Sequence, residues 1–193
     1  MEVKKYNIEF AGKPLSVEIG RFGGQANGTV SVQYGETTVM VNATMSAHTK
    51  AVDYMPLQVE YEEKYYAAGK IKGSKWIKRE GRPTEDAILT GRLIDRSIRP
   101  RFNNKIRNEI QVIATVLSFD GINDSDIPAL FGASLALMIS DIPWAGPVAG
   151  IRIGRVDGKL ILNPTYQERA TSDFDIVVAG TATKINMIEA GAK

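Results

Sequence analysis

The first third of the chain alternates apolar and polar residues with a period of two, as β-strands with one buried face do. The segments 6–10 and 15–19 flank one short turn that contains Gly12 and Pro14. The segments 29–34 and 37–45 flank a second short turn at Gly35. Because short glycine-containing turns join neighbouring antiparallel strands, this region is predicted to form hairpins.

The rest of the chain mixes helix and strand signals. Thr84 is a good N-cap for a helix that should end near Ile98, before Pro100. A second helix, buried on most sides, is predicted over 128–139. Further strands are predicted at 57–61, 110–118, 148–153, 159–162, 174–179 and 185–189. The pattern indicates an α+β fold of mixed sheets packed with a few helices, in one domain spanning 1–193.

Composition excludes several classes of protein. The chain has 193 residues and is 44% hydrophobic, which is enough for a core, so disorder is excluded. It has no cysteine, which excludes disulfides and thiolate zinc sites. No signal-peptide pattern opens it, and its longest apolar stretch, 129–142, is too short and interrupted to span a bilayer. We therefore expect a soluble cytoplasmic protein with no membrane partner.

Charge is concentrated in one segment. Residues 64–107 hold thirteen Lys or Arg and four acids, a formal charge of +9, whereas the whole chain carries +2. A local positive field of this size attracts a polyanion. The segment also holds Tyr65, Tyr66 and Trp76, whose flat rings offer surfaces for base stacking. A path for a nucleic acid is the first functional hypothesis.

The predicted helix from Thr84 carries a stripe of arginines. Arg92, Arg96 and Arg99 are spaced i, i+4 and i+7 and share one helix face, with Arg101 just beyond. Such a stripe can grip phosphates in a bidentate manner. In the alternative interpretation, Asp95 pairs with Arg92 and Arg99 and the face is merely solvated.

A glycine- and lysine-rich loop precedes this helix. Trp76 and Ile77 stand there between basic residues. Stacking on Trp76, with phosphates held by Lys78, Arg79 and Arg82, would suit single-stranded RNA or DNA. Alternatively, Trp76 anchors the loop to its own domain or to a neighbouring subunit.

Two acidic clusters are candidates for other chemistry. Asp173 and Asp175 lie at the start of a predicted strand, with both carboxylates on the same side of it, and such a pair could hold Mg²⁺. In the alternative interpretation, the two residues are simply the solvated end of the strand. The cluster from Asp120 to Asp126 precedes the second helix, and turn and capping chemistry explains it.

Several motifs resemble a known family. GRFGGQANGTV at 20–30 and YGET at 34–37 are similar to the opening of the ribonuclease-PH-type core. More specific motifs resemble the first core domain of bacterial polynucleotide phosphorylases. These motifs are AGKI at 68–71, KREGRP at 78–83, RLIDR at 92–96, IRP at 98–100, GASLAL at 132–137 and VAGT at 178–181.

The resemblance implies a phosphate-dependent 3′-to-5′ exoribonuclease. That family degrades RNA with inorganic phosphate, releases nucleoside diphosphates, and can run in reverse. Two such cores lie in one polypeptide and three polypeptides form a ring. The chain would be the first core, without its usual helical C-terminal continuation. The alternative is a non-catalytic RNA-binding ring subunit of the same fold, as in exosomes.

The resemblance also implies a division of labour between the two cores. Trp76, Ile77, Lys78 and Arg79 would line the constriction of the ring channel, where two aromatic and two basic residues are usual; Ile77 departs from that pattern. Catalysis and Mg²⁺ binding would belong to the second core. The second core of that family has a serine-rich turn that binds phosphate. The equivalent turn in this chain is 122–126, and its two carboxylates would repel phosphate. We therefore expect no catalytic residue in this chain, and Asp173 and Asp175 would be the remnant of a metal site.

Overall fold

The computed structural model describes residues 2–71, 73 and 81–192, and they fold into two sheets with helices between them. The first sheet has the spatial order β1-β2-β3-β4-β6-β5. Strands β5 and β6 pair in parallel, and the other neighbours pair antiparallel. The strands are β1 (Lys4–Phe10), β2 (Lys13–Ile19), β3 (Gly28–Tyr34), β4 (Thr37–Thr49), β5 (Leu57–Glu62) and β6 (Asn108–Ser118).

The second sheet is antiparallel throughout and has the order β10-β9-β7-β8. Its strands are β7 (Ala149–Val156), β8 (Lys159–Leu162), β9 (Phe174–Gly180) and β10 (Ile185–Ala192). A tight turn at Asp157 and Gly158 joins β7 to β8, and both residues have positive φ, at 50° and 75°. Positive φ at both central positions is typical of the two-residue hairpin turn that matches strand twist.

The first long helix, α1 (Glu85–Ile98), begins and ends where the sequence predicts. Thr84 caps it by accepting a hydrogen bond from the backbone N of Ala87 at 3.0 Å. Glu85 and Asp86 lie in its first turn, where the helix dipole favours negative charge. A 3₁₀ turn with Pro100 follows at Arg99–Arg101. Helix α1 packs on β5 of the first sheet and also contacts β10 of the second.

The second helix, α2 (Asp126–Ile139), lies between the two sheets. It packs on β3 and β4 on one side and on β7 on the other. Ala129, Leu130, Ala133 and Ala136 on this helix are fully buried. A helix that is apolar around most of its circumference is stable only when it is enclosed in this way.

The fold class predicted from the sequence is confirmed as α+β, with two sheets and a few helices. One helix was not predicted: α3 (Tyr166–Thr171), whose N-terminus carries a capping box between Thr165 and Glu168. The Thr-x-x-Glu signature was present in the sequence. Among the described residues, no helix has the length and apolar character needed to cross a membrane.

Gly28, at the start of β3, tests how tightly α2 sits on the first sheet. A Cβ atom at Gly28 would lie 2.1 Å from the backbone oxygen of Ala136 on α2. We expect Gly28→Ala to lower the free energy of unfolding by about 3 kcal/mol, because the helix backbone must shift to accept the methyl group. Urea unfolding measures the change.

Gly24→Ala is the matched control, since a Cβ there meets nothing within 4 Å. Its free energy of unfolding should change by no more than about 0.5 kcal/mol. Equal stability of the two variants would contradict the close approach of α2 to β3.

Candidate nucleic-acid interface

The described residues include five of the nine predicted RNA-binding residues. These are Arg82, Arg92, Arg96, Arg99 and Arg101. The other four, Trp76, Ile77, Lys78 and Arg79, lie outside the described residues.

Helix α1 places the arginine stripe on its outer face, but the three guanidiniums have different surroundings. Arg99 binds Asp95, with Nε–Oδ2 at 2.8 Å and Nη2–Oδ1 at 2.6 Å, and also donates to the backbone oxygen of Leu57. Arg96 is 3.6 Å from Glu189 on β10 and is half exposed. Arg92 is exposed and forms no ion pair within the described part of the chain. The pairing considered for Asp95 thus occurs with Arg99 and leaves Arg92 open.

Arg101 is fixed by hydrogen bonds to the loop that precedes β7. Its Nη2 donates to the backbone oxygen of Ala145, and its backbone oxygen accepts from the backbone N of Ala145 at 3.0 Å. Its Nε is buried and has no hydrogen-bond partner among the described residues. Arg101 therefore fixes the loop before β7 as well as adding positive charge.

Arg82 lies at a cavity of about 760 Å³ that the sequence did not reveal. The walls come from β5, the 3₁₀ turn Tyr65–Ala68, the N-terminus of α1, the end of β6 and the start of α3. Ala67, Ala87, Val116 and Phe119 supply apolar surface. Arg82 is the one described member of the predicted set that lines this cavity.

The charges around the cavity are mixed. Glu62 pairs with Lys64 at 3.1 Å, and Glu63 accepts from Thr84 Oγ1 at 2.9 Å. Lys70 and Arg82 form no ion pair with the described residues. Both acids therefore have partners, while these two cations are available to an anion.

Two tyrosines line the inner part of the cavity. Tyr61 shares a short hydrogen bond with Ser125, the residue before α2. Burial raises the pKa of Tyr61 and of Tyr166 above the usual value, and the carboxylates of Asp124 and Asp126 add to the effect. Both hydroxyls therefore stay protonated at neutral pH.

Beside the cavity lies a cluster of two arginines and three aspartates, hereafter the Arg–Asp cluster. Arg152 on β7 donates to Asp126 at the start of α2 and, at 2.6 Å, to Asp175 on β9. Arg169 on α3 donates to Asp124 and, at 3.0 Å, to Asp175. The cluster joins α2, α3 and both inner strands of the second sheet.

Burial dominates the electrostatics of this cluster. Asp126 is 2% exposed, and burial together with the neighbouring Asp124 carboxylate raises its pKa, against the opposing effect of Arg152. Burial alone would lower the pKa of Arg152, but the carboxylates of Asp126 and Asp124 raise it above its usual value. Arg152 therefore remains charged and neutralises an otherwise costly buried carboxylate.

Both aspartates considered for Mg²⁺ have guanidinium partners. Asp173 binds Arg155 through Nε at 2.9 Å and Nη2 at 2.7 Å, and Asp175 belongs to the Arg–Asp cluster. In the portion of the chain that the structure describes, no group of three or more His, Asp or Glu side chains could hold a metal ion.

Asp120 organises the turn before α2. Its carboxylate accepts from the backbone N of Ile122, from both nitrogens of Asn123, and from the backbone N of Glu36. Burial alone would raise the pKa of Asp120, but these hydrogen bonds outweigh it and lower the pKa to about 2. The turn chemistry suggested by the sequence accounts for this part of the acidic cluster.

Comparison with known proteins decides the family. Residues 11–143 match the model of the 3′ exoribonuclease family, domain 1, and residues 146–193 match domain 2 of the same family. The chain belongs to the 3′ exoribonuclease family. The boundary between the two matches falls in the segment between α2 and β7, where the first sheet gives way to the second.

Relatives in this exoribonuclease family confirm the resemblance to bacterial polynucleotide phosphorylases. The chain is 55% identical to the polyribonucleotide nucleotidyltransferase of Anoxybacillus flavithermus, over 100% of the chain and 28% of the relative. It is 54% identical to that of Bacillus licheniformis, over 97% of the chain and 26% of the relative. The chain therefore spans little more than a quarter of these relatives' length.

Solved structures support the exoribonuclease fold at much lower identity. A chain of an Archaeoglobus fulgidus exosome, solved with RNA bound to its active site, matches with a TM-score of 0.68 and 16% identity, over 99% of this chain and 77% of that one. Rice (Oryza sativa) Rrp46 matches with a TM-score of 0.74 and 14% identity, over 94% and 81%. These likenesses establish the fold.

Arg152 and Arg155 lie three residues apart on β7 and allow a matched test of the Arg–Asp cluster. We expect Arg152→Met to lower the free energy of unfolding by about 3–5 kcal/mol, because it leaves a buried carboxylate without its cation. Arg155 is exposed and pairs with an exposed Asp173, so Arg155→Met should leave the urea midpoint unchanged. Similar losses in both variants would contradict a special role for the buried cluster.

The lowered pKa of Asp120 predicts that its contribution to the free energy of unfolding depends on pH. Its folded pKa of about 2 lies below the ordinary 3.8, so its stabilisation is present above pH 4 and is lost as the pH falls towards 2. After allowance for solvent screening of this partly exposed group, Asp120→Asn should cost about 1 kcal/mol at pH 7. The difference from the unsubstituted chain should shrink between pH 4 and pH 2.

Urea unfolding at several pH values measures this difference. The control is Asp53→Asn, since Asp53 is exposed and its side chain accepts no hydrogen bond within the described ranges. A stability difference for Asp120→Asn that does not vary with pH would rule out the proposed hydrogen bonding.

Proposed function

We propose that the chain is the RNA-guiding first core of a phosphate-dependent 3′-to-5′ exoribonuclease. In the full-length protein, RNA and inorganic phosphate would be converted reversibly to nucleoside diphosphates. The observation that carries the proposal is 55% identity across the whole chain to a polyribonucleotide nucleotidyltransferase. The basic segment 64–107 gives the chain the positive charge that an RNA path requires.

The five described arginines are proposed to interact with RNA in different ways. Arg82 and Arg92 have guanidiniums without ion-pair partners in the described structure and would contact RNA phosphates directly. Arg96 would exchange its long, exposed contact with Glu189 for a phosphate. Arg99 and Arg101 are fixed by their own fold and would contribute a rigid positive field. Trp76, Ile77, Lys78 and Arg79 remain part of the proposed path through the sequence resemblance alone.

The chemical step is proposed to lie outside this chain. Asp124 and Asp126 stand at the N-terminus of α2, where a phosphate would otherwise find backbone N–H donors. Arg152 and Arg169 are engaged with these carboxylates and with Asp175, so the donors and charges do not fit inorganic phosphate or Mg²⁺. We propose that both are held by the remainder of the full-length protein, and that no residue of this chain is catalytic.

The proposed assembly is a homotrimeric ring, in which this core packs beside a second core of the same polypeptide, in the cytoplasm. Support for it comes from the resemblance to bacterial polynucleotide phosphorylases, at 53–55% identity in several relatives. The chain's share of those relatives leaves room for a second core.

A second candidate function is a non-catalytic RNA-binding ring subunit of the same fold, which this chain shares with the exosome chain and with Rrp46. The identities of 14–16% to these neighbours carry less weight than 55% to a nucleotidyltransferase. The two candidates differ in one assay: the full-length protein either does or does not release nucleoside diphosphates from RNA when phosphate is supplied.

RNA guiding predicts a salt-dependent affinity for single-stranded RNA. For the 193-residue chain, a plot of log affinity against log salt should have a clearly negative slope, near −0.7 for each phosphate contacted. Replacing both Arg82 and Arg92 with Ala should weaken binding of any base sequence and make the slope shallower by about 1.4. Fluorescence anisotropy with labelled oligonucleotides measures both effects.

The charge-matched control replaces with Ala two exposed lysines outside the basic segment, Lys159 on β8 and Lys184 in the loop before β10, and should leave the slope unchanged. An affinity for RNA that does not respond to salt, or equal effects of the two double variants, would refute the proposed path.

A further inference from the structure

The cavity that Arg82 lines has a size and a lining that suit a small ligand. Its volume of about 760 Å³ lies within the range of small-molecule sites. We propose that it binds one ribonucleotide unit, either a residue of an RNA strand or a free nucleotide. The inference deepens the proposed function and rests on it.

Three classes of side chain in the cavity correspond to the three parts of a ribonucleotide. The flat base would lie against the aromatic and alanine surface of Tyr65, Ala68, Phe119 and Tyr166. Phe119 and Tyr166 are already in edge-to-face contact, with ring centroids 5.9 Å apart, and form a rigid wall. Stacking on aromatic rings tolerates any base, so this wall sets no sequence preference.

The phosphate would be bound by Lys70 and Arg82, which both line the cavity. Neither cation has an ion-pair partner among the described residues, whereas Lys64 already pairs with Glu62. The backbone N of Lys70 donates to the backbone oxygen of Tyr65 at 2.9 Å, so the backbone of Lys70 is fixed relative to the 3₁₀ turn that carries Tyr65. A phosphate bound there would neutralise the two available charges.

The acids explain why a ribonucleotide fits better than phosphate alone. Glu63 is exposed, lines the cavity, and uses one carboxylate oxygen to accept from Thr84. Its other oxygen is available to accept from a ribose hydroxyl, as acidic residues do in dinucleotide sites. A carboxylate in this place disfavours a bare anion and favours a sugar with a 2′-hydroxyl.

The structure offers a variant that blocks the cavity without changing its charge. Ala68 is exposed on the 3₁₀ turn and its methyl group lines the cavity, so Ala68→Leu should fill part of the space and leave the fold intact. Lys70→Ala combined with Arg82→Ala removes the two available cations. Lys159→Ala on β8 combined with Lys184→Ala in the loop before β10 removes the same charge away from the cavity and serves as control.

Isothermal titration of the 193-residue chain and its variants, each checked for an unchanged urea midpoint, tests the proposal with ADP, dADP and a six-residue oligoadenylate. We expect the affinity for ADP to fall at least tenfold in Ala68→Leu and in the Lys70/Arg82 variant. The control variant should bind ADP with the affinity of the unsubstituted chain. We expect ADP to bind more tightly than dADP, and Glu63→Gln to reduce that preference. Inorganic phosphate alone should bind much more weakly than ADP.

The oligonucleotide distinguishes the source of the nucleotide. Competition between oligoadenylate and ADP, sensitive to Ala68→Leu, would show that the site accepts a residue of a strand. ADP binding that oligoadenylate does not displace would assign the cavity to a free nucleotide. Either result supports the proposal, whereas absence of cavity-dependent binding by both ligands overturns it.

The full-length protein separates failure of this inference from failure of the proposed function. If it releases nucleoside diphosphates from RNA while the cavity variants bind ADP and oligoadenylate like the unsubstituted chain, only the cavity assignment is wrong. If it releases none and the 193-residue chain binds no RNA at low salt, the proposed function is wrong as well.

Discussion

The ion pairs of Arg152 with Asp126 and Asp175 hold the second sheet to helix α2, which lies between the two sheets. Asp126 begins α2, which packs on the first sheet, while Arg152 and Asp175 lie on neighbouring strands of the second. An aspartate that is 2% exposed would destabilise the fold without a nearby cation. The position of α2 relative to the second sheet therefore depends on a specific charge arrangement as well as on apolar packing.

This arrangement also determines what the N-terminus of α2 can bind. Backbone N–H groups at a helix start attract anions, and two arginines nearby would normally strengthen that attraction. Here the anions are supplied by Asp124 and Asp126 of the same chain. The charges of this cluster are paired with one another, although Nε of Arg152 and Oδ1 of Asp175 have no hydrogen-bond partner among the described residues, and the paired groups contribute to stability rather than to binding. Among the described residues, Arg82 and Arg92 of the basic segment form no ion pair and are available to an external polyanion.

The sequence predicted most of the architecture because strand alternation, Gly turns and the Thr84 cap act over a few residues. It missed α3, although the Thr165–Glu168 capping box was visible, because the helix is only six residues long. The site was less predictable. Helical spacing placed the arginines on one face, but it could not show that Asp95 pairs with Arg99 rather than Arg92. The Arg–Asp cluster and the cavity join residues far apart in the chain, so no local pattern could reveal them.

The distinction between these two regions is one of geometry rather than composition. Both combine acids and bases in similar numbers, so residue type alone does not separate them. In the Arg–Asp cluster the guanidiniums approach carboxylates in a largely buried position, where a low effective dielectric makes each pair strong and exchange with an outside ligand costly. Around the cavity the acids bind lysine or threonine near solvent, and Lys70 and Arg82 form no ion pair with any residue that the structure describes. Screening by water weakens those contacts, so a ligand can replace them. A chain can thus use the same residue types to close one region and to keep another open for binding.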